Sequence, residues 1–438
     1  MTSYPTVDQD PADALGAQAA NRRCASKARG SVRAESGGLG RTSALVLLSF
    51  GTAQATSAIT FLFAARHAGP EAFGRVVSLV GVVATVVGIV DFGGNTLVTR
   101  EVAARRMSLA GAAGRITTKA LVMAALGAIL GMALRLVNLV TLTEAALAGL
   151  CGVAMTVSLG LQCILRGIGK ATISGWLSAL DKVLGLGTFT GLSAFVGLRP
   201  SLALLVALCA GPVIASTLGA LWLALTVGVR RIRLISPYRG SLGFGLTSTA
   251  TSLATLDAPT IAAIGGSVAA GHYGAVARWV NPLNLVSSAF VQAALPVLTA
   301  EPSTRSAMRR LRSGGWLLAA SWVFAAATAA LSPWMVPRLL GPGYEHSAPV
   351  LALLALSTIP SGISQVALTM LQARGRENAA AGRMLVAVFT QLLSIGIGSA
   401  ILGGAGAAVG VLGAQVMLVL LLIREVLHLL VKEDRLDD

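Results

Sequence analysis

Three stretches of this 438-residue chain place ionisable or amide side chains inside apolar runs, and their spacings suggest different chemistries. In ARWVNPLN, Arg278, Asn281 and Asn284 recur three residues apart, so a helix would bring them toward one side. A guanidinium beside two amides offers a planar fork for an anion and partners for hydroxyl groups, although the amides would serve equally as glue between helices. Asp181 and Lys182 are adjacent, about 100° apart around a helix. One of them can therefore face a cavity while the other pairs with a neighbouring helix, and Lys182 is the one expected in the cavity. Asp257 stands two residues before Pro259, which removes a backbone donor and tends to kink a helix. A carboxylate at a kink suits coupling to a proton or sodium ion; the other reading is a salt bridge to a neighbouring helix, for example with Arg278.

Other chemistries lack their residues. No Gly-x-x-x-x-Gly-Lys-Ser/Thr loop occurs, so the chain does not carry its own ATPase. His67, His272, His346 and His428 are isolated, and Cys24, Cys151, Cys163 and Cys209 form no Cys-x-x-Cys pair, so neither a metal centre nor a disulfide framework is expected. No cofactor is implied, and the chain reads as something other than an enzyme. Gln292, Gln365, Gln391 and Gln415 are further amides on apolar runs. Asp91, with Asn95 one turn later, suits a helix end or a gate. Arg66, Arg75, Arg135, Glu144 and Arg424 lie close enough to the ends of apolar runs to snorkel.

The elements that must position these groups are set by composition. The chain is 55% hydrophobic and 12% charged, with a mean hydropathy of +0.76. About twelve apolar stretches can each cross a bilayer: 43–65, 75–97, 117–137, 142–164, 174–197, 201–228, 242–266, 275–299, 314–337, 347–372, 381–402 and 405–430. They show no period-two alternation, and a spanning backbone must satisfy its own hydrogen bonds, so the fold class is all-α, polytopic in a membrane. Abundant Gly and Ala suit close helix packing in lipid.

The formal charge of +16 is distributed in a way that argues against nucleic acid. Basic residues crowd alternate loops: Arg100, Arg105, Arg106, Arg115 and Lys119 after span 2; Arg230, Arg231, Arg233 and Arg239 after span 6; Arg305, Arg309, Arg310 and Arg312 after span 8. The loops between hold one or two. By the positive-inside rule both termini are cytoplasmic, which requires an even number of spans. Residues 1–41, with no apolar core of a signal peptide, read as a disordered tail whose basic half can touch anionic lipid, or as the product of a misassigned start; 431–438 is a second short tail.

Two echoes divide the spans. HAGPEAFG (67–74), between spans 1 and 2, is answered by AAGHYG (269–274), between spans 7 and 8; LRGIGK (165–170), after span 4, is answered by LQARGR (371–376), after span 10. Echoes six spans apart imply two six-helix bundles, 42–240 and 241–430, related by a pseudo-two-fold along the membrane normal around a central cavity open to one side at a time. Gly74 and Gly274 are expected as the tight corners, with Phe73 and Tyr273 at the water–lipid boundary.

HAGPEAFG, DFGGNTLVTREVA (91–103), GHYGAVARWVNPLNLV (271–286), Pro296 at the end of span 8, LLGPGYEHSAPVLALLAL (339–356) and LQARGRENA (371–379) occur in the order and placement seen in one family. From residue 42 onward the chain resembles the bacterial polysaccharide flippases of the multidrug/oligosaccharidyl-lipid/polysaccharide exporter superfamily. The resemblance implies an inner-membrane protein of two bundles that turns undecaprenyl-pyrophosphate-linked sugars from the inner to the outer leaflet, beside a polysaccharide polymerase and glycosyltransferases of the same pathway. It places Arg278 in the cavity, where a guanidinium can clamp a pyrophosphate; the spacing of Asn281 and Asn284 from Arg278 would put their amides beside it as partners for sugar hydroxyls. Lipid II flippases of the superfamily typically carry two further helices. A drug or cation exporter of the same fold should have a more acidic and aromatic cavity, and a membrane polymerase or glycosyltransferase needs a sizeable outer loop that this chain lacks.

Overall fold

The computed structural model describes residues 36–227, 235–238, 241–300, 303–374 and 376–437. The tail 1–35 with Cys24, the basic residues Arg230, Arg231, Arg233 and Arg239, and the side chain of Gln292 lie outside the described set. The chain divides into a unit Met1–Leu48 and a unit Ser49–Asp438; the described part of the first, from Ser36, is helical, including Ser36 to Arg41 of the expected tail.

Among the described residues every regular element is helical: α1 (Ser36–Asp91), α2 (Gly94–Ala103), α3 (Leu109–Leu136), α4 (Leu142–Gly167), α5 (Ala171–Phe195), α6 (Pro200–Val227), α7 (Leu242–Leu253), α8 (Asp257–Ala300), α9 (Thr304–Leu340), α10 (Ser347–Ala373) and α11 (Glu377–Asp437), with 3-10 turns at Ala254–Leu256 and Pro342–Tyr344. Among the described residues eight helices are long and apolar enough to cross a membrane. The three longest of these stretches, Leu48–Asp91, Ser248–Ser287 and Ala379–Val431, each contain a break and supply two crossings. Adding α5, whose Asp181 and Lys182 interrupt an otherwise apolar run, gives the twelve segments expected from the sequence.

The breaks fall where glycine is required. Gly69 (φ 74°, ψ 164°) separates spans 1 and 2, and Gly266 (φ 86°, ψ 166°) separates spans 7 and 8. Backbone of that kind is open to glycine and strained for any residue with a Cβ. The corners are therefore Gly69 and Gly266, not Gly74 and Gly274, which lie within the helices that follow. The repeat itself survives with its register moved by three residues, since Gly74 and Gly271 each lie five residues past a corner. A Cβ on Gly74 would fall 1.8 Å from the Ser267 carbonyl oxygen, and one on Gly271 would fall 1.9 Å from that of Pro70. Each glycine thus lets its helix rest on the first residue after the other half's corner.

The second echo is equally concrete. The Lys170 N–H donates to the Leu165 carbonyl at 2.8 Å, and the Arg376 N–H donates to the Leu371 carbonyl at 2.9 Å. Both halves close their fourth helix with the same Schellman-type bond over a fully buried leucine.

Spans 2 and 7 run against each other over most of their length. The Thr85 and Thr255 hydroxyls are 2.7 Å apart, Ser78 Oγ donates to the Ala258 carbonyl at 3.2 Å, and Gly81 leaves room for the Pro259 ring. The break expected at Pro259 is present as the 3-10 turn Ala254–Leu256 immediately before it, because proline cannot donate to a residue four back. Phe73 and Tyr273, 1% and 3% exposed, are buried in the apolar core that joins the halves rather than set at the water–lipid boundary.

Candidate functional site

A cavity of about 370 Å³ opens among spans 1, 2, 4, 5, 6 and 8. Helical periodicity accounts for its walls. Phe50, Gln54, Ser57 and Phe61 follow one another at four, three and four residues on span 1; Cys151, Met155, Leu159, Gln162 and Arg166 follow the same rhythm along α4. Ser178 and Lys182, one turn apart on α5, and Arg278 and Asn281 on α8 complete its polar lining. Lys182, about a quarter of the unit away in sequence from Arg278 and Asn281, therefore lines the same space as they do, while Asn284 does not line it. Its Oδ1 is buried and takes no hydrogen bond among the described residues.

Three cations reach the cavity, each held differently. The Arg278 guanidinium carbon lies 4.8 Å from the centroid of the Phe61 ring and has no carboxylate within 4 Å among the described residues. A ring face attracts a guanidinium without using its N–H groups, which stay available to an anion. Lys182 Nζ donates to Asp181 Oδ2 at 3.2 Å. Asp181 is itself buried against Gly211 of α6, and the ion pair forms between the two neighbours rather than with another helix. Arg166 donates from Nε to the Gln162 carbonyl at 3.3 Å and from Nη2 to Cys163 Sγ at 3.0 Å, which ties the side chain to its own helix. Among the described residues that line the cavity none is acidic.

Arg166, Gln162, Gln54, Ser57 and Ser178 were not singled out from the sequence. Arg166 was visible only as part of the LRGIGK turn, although its position one turn after Gln162 on span 4 is the signal that could have found it.

Asp257 does not form the salt bridge with Arg278 that is one of its two expected roles. Its Oδ2 accepts from the Tyr273 hydroxyl at 2.8 Å and its Oδ1 from the Ala258 N–H at 2.7 Å, and no ion pair with Arg278 forms. The carboxylate therefore sits at the span 7 break, held by an aromatic one corner later. Asp91 and Asn95 converge on Lys119, whose Nζ donates to Asp91 Oδ1 and Asn95 Oδ1, each at 2.6 Å, with the lysine 1% exposed. Phe92 and Gly93, at φ 44° and 69°, break the helix there, and Tyr238 meets the Phe92 ring edge-on at 6.2 Å. This is a buried, fully partnered joint beside the linker between the halves, and burial together with the Asp91 charge pushes the Tyr238 hydroxyl above its usual pKa. Glu144 caps α4 through a reciprocal pair with Thr141, and Arg135 bonds Asn138 at 2.8 Å, both at helix ends.

The chain matches no protein-family model and no curated protein sequence. Among solved structures it is similar to the lipid II flippase MurJ in an inward closed conformation, with 11% identity, 87% of each chain covered and a TM-score of 0.66. It is also similar to a multidrug resistance MATE family transporter of the MOP superfamily in an inward-facing conformation, with 15% identity over 88% of this chain and 98% of that one and a TM-score of 0.63. The eukaryotic MATE transporter AtDTX14 aligns at 16% identity over 89% and 95% of the two chains, with a TM-score of 0.53. The chain shares the fold of these all-α membrane proteins along nearly its whole described length.

Proposed function

We propose that this protein is a flippase of the multidrug/oligosaccharidyl-lipid/polysaccharide exporter superfamily that turns undecaprenyl-pyrophosphate-linked oligosaccharide from the inner to the outer leaflet of a bacterial inner membrane, for cell-surface polysaccharide export. The observation that carries this reading is the cavity wall, where Arg166, Lys182 and Arg278 approach one space that none of its described lining residues makes acidic. Lys182 is paired with Asp181, but Arg166 and Arg278 have no carboxylate within 4 Å among the described residues; unpaired charge in a membrane interior is costly, so these two favour an anionic ligand. The amides and hydroxyls of Gln54, Gln162, Asn281, Ser57 and Ser178 supply partners for sugar hydroxyls.

Alternating access then needs the two halves to separate at one end while meeting at the other. The Gly74 and Gly271 crossing closes the end of the Gly69 and Gly266 corners, the outer end by the distribution of Lys and Arg. A phosphate-bearing lipid drives the change only by its different affinity for the two states, and Arg278 on span 8 against Phe61 on span 1 is a contact between halves that such a ligand would rearrange. Energy comes from downhill removal of product by the pathway's polymerase and glycosyltransferases, or from a proton or sodium gradient acting at Asp257.

Export of cationic drugs, the activity named for the multidrug relative, fits this cavity less well because its lining offers the wrong sign of charge. Proteoliposomes containing a fluorescent polyprenyl-pyrophosphate sugar, read by quenching of the outward leaflet, separate the two. The flippase reading expects protein-dependent turnover of the lipid and none of a cationic dye; turnover of the dye alone would overturn it.

A further inference from the structure

We propose that His272 and His346 form a binding site for a zinc-class divalent cation at the outer corner of the second half. The two residues are far apart in sequence, yet their ring centroids are 5.7 Å apart with planes inclined by 53°. Two imidazoles sharing one cation at ~2.0–2.1 Å per Zn–N bond have ring centres roughly 5–6 Å apart. His272 Nδ1 is 3.0 Å from Ser347 Oγ, which leaves Nε2 to ligate. A hydrogen bond on the other ring nitrogen is what fixes the tautomer and tilt of a metal-bound imidazole. Ser347 is fully buried and holds His272 from below, while His346 is exposed and takes no hydrogen bond among the described residues. Neither ring lines the cavity described above.

No third His, Cys, Asp or Glu joins them among the described residues, so water would fill the remaining positions and binding would be reversible rather than structural. Imidazole pairs select zinc, copper or nickel over magnesium and calcium, which take oxygen ligands.

The site adjoins a contact between the halves. Tyr344 meets His272 edge-on at 5.7 Å and donates from its hydroxyl to the Ala65 carbonyl of span 1 at 2.9 Å. A cation bridging His346 to α8 would pin the turn Pro342–Tyr344 and hold Tyr344 against span 1. Resting on the flippase reading, bound zinc keeps this corner closed and slows turnover.

The test is a titration of the purified full chain with Zn²⁺ and, separately, Mg²⁺, read by calorimetry and by the thermal unfolding temperature. One Zn²⁺ per chain should bind and raise that temperature, Mg²⁺ should not, and His346→Gln and His272→Gln should each weaken binding roughly tenfold or more. His346 is exposed, so its variant folds independently of the result. No zinc binding by the wild type, or binding in both variants as tight as in the wild type, overturns the site irrespective of what the protein transports. In the proteoliposome assay zinc should slow the wild type and spare His346→Gln; zinc-loaded protein turning over lipid at full rate would overturn the gating role while leaving the site standing.

Discussion

The Arg278 guanidinium of the second half lies over the Phe61 ring of the first, its carbon 4.8 Å from the centroid, with no carboxylate within 4 Å among the described residues. The ring face attracts the cation and leaves its donors available. Arg278→Ala should therefore reduce lipid turnover by about 10- to 100-fold, the worth of hydrogen bonds to a charged group, at unchanged membrane insertion. Arg278→Lys should keep partial activity, since lysine retains charge but loses the planar fork. Full turnover by the alanine variant at normal expression would remove Arg278 from the site.

Asp257 is held by Tyr273 rather than by Arg278, and it occupies the break before Pro259. If it carries the coupling ion, collapsing the proton or sodium gradient should slow wild-type turnover, and Asp257→Asn should be insensitive to the collapse. Tyr273→Phe should retain the gradient response with a shifted ion dependence. Wild-type turnover that continues unchanged without either gradient would leave Asp257 as a structural partner of Tyr273.

The reciprocal crossing of Gly74 and Gly271 predicts paired behaviour. At 1.8 and 1.9 Å from a backbone oxygen an added Cβ cannot be accommodated unless the helices part. Gly74→Val and Gly271→Val should each disfavour the closed corner by about 1–3 kcal/mol, increasing labelling of a cysteine at Ser57 by an impermeant reagent from outside. Gly187→Val, where nothing lies within 4 Å, is the control and should leave labelling unchanged. Equal labelling in all three variants would mean that this crossing does not gate the cavity.

Sidedness rests on the alternating Lys and Arg loops. Glu345 and Ser236 are both exposed, whereas Ser347 is buried beneath His272 and would report poorly. An impermeant maleimide should label Glu345→Cys in intact cells and Ser236→Cys only after permeabilisation. The reverse pattern would invert the topology.

Span number, helix class and the repeat were legible because each rests on long apolar runs and on echoes that survive as backbone bonds, as at Leu165 and Leu371. Lys182, Arg278 and Asn281 were found as rare polar groups in apolar surroundings, a local property. The corners fell five and eight residues earlier than expected, and the register between the halves moved by three, because Phe73-Gly74 and Tyr273-Gly274 resemble each other in type while the backbone requirement for positive φ falls on Gly69 and Gly266. Arg166 was hidden for a similar reason: a basic residue at the end of a span reads as a loop charge until the neighbouring helices show what it faces. The His272 and His346 pair depends wholly on tertiary proximity, which no spacing along the chain encodes.

The account stands on the cavity holding a phosphate-bearing lipid, and the direct measurement is native mass spectrometry of the purified protein offered a short-chain polyprenyl-pyrophosphate sugar, the corresponding neutral polyprenyl glycoside and a cationic dye in competition. Wild type should retain the pyrophosphate lipid in preference to the other two, and Arg278→Ala should lose that preference by about tenfold or more. Retention of the dye with no preference for the pyrophosphate lipid, unchanged by Arg278→Ala, would contradict the account.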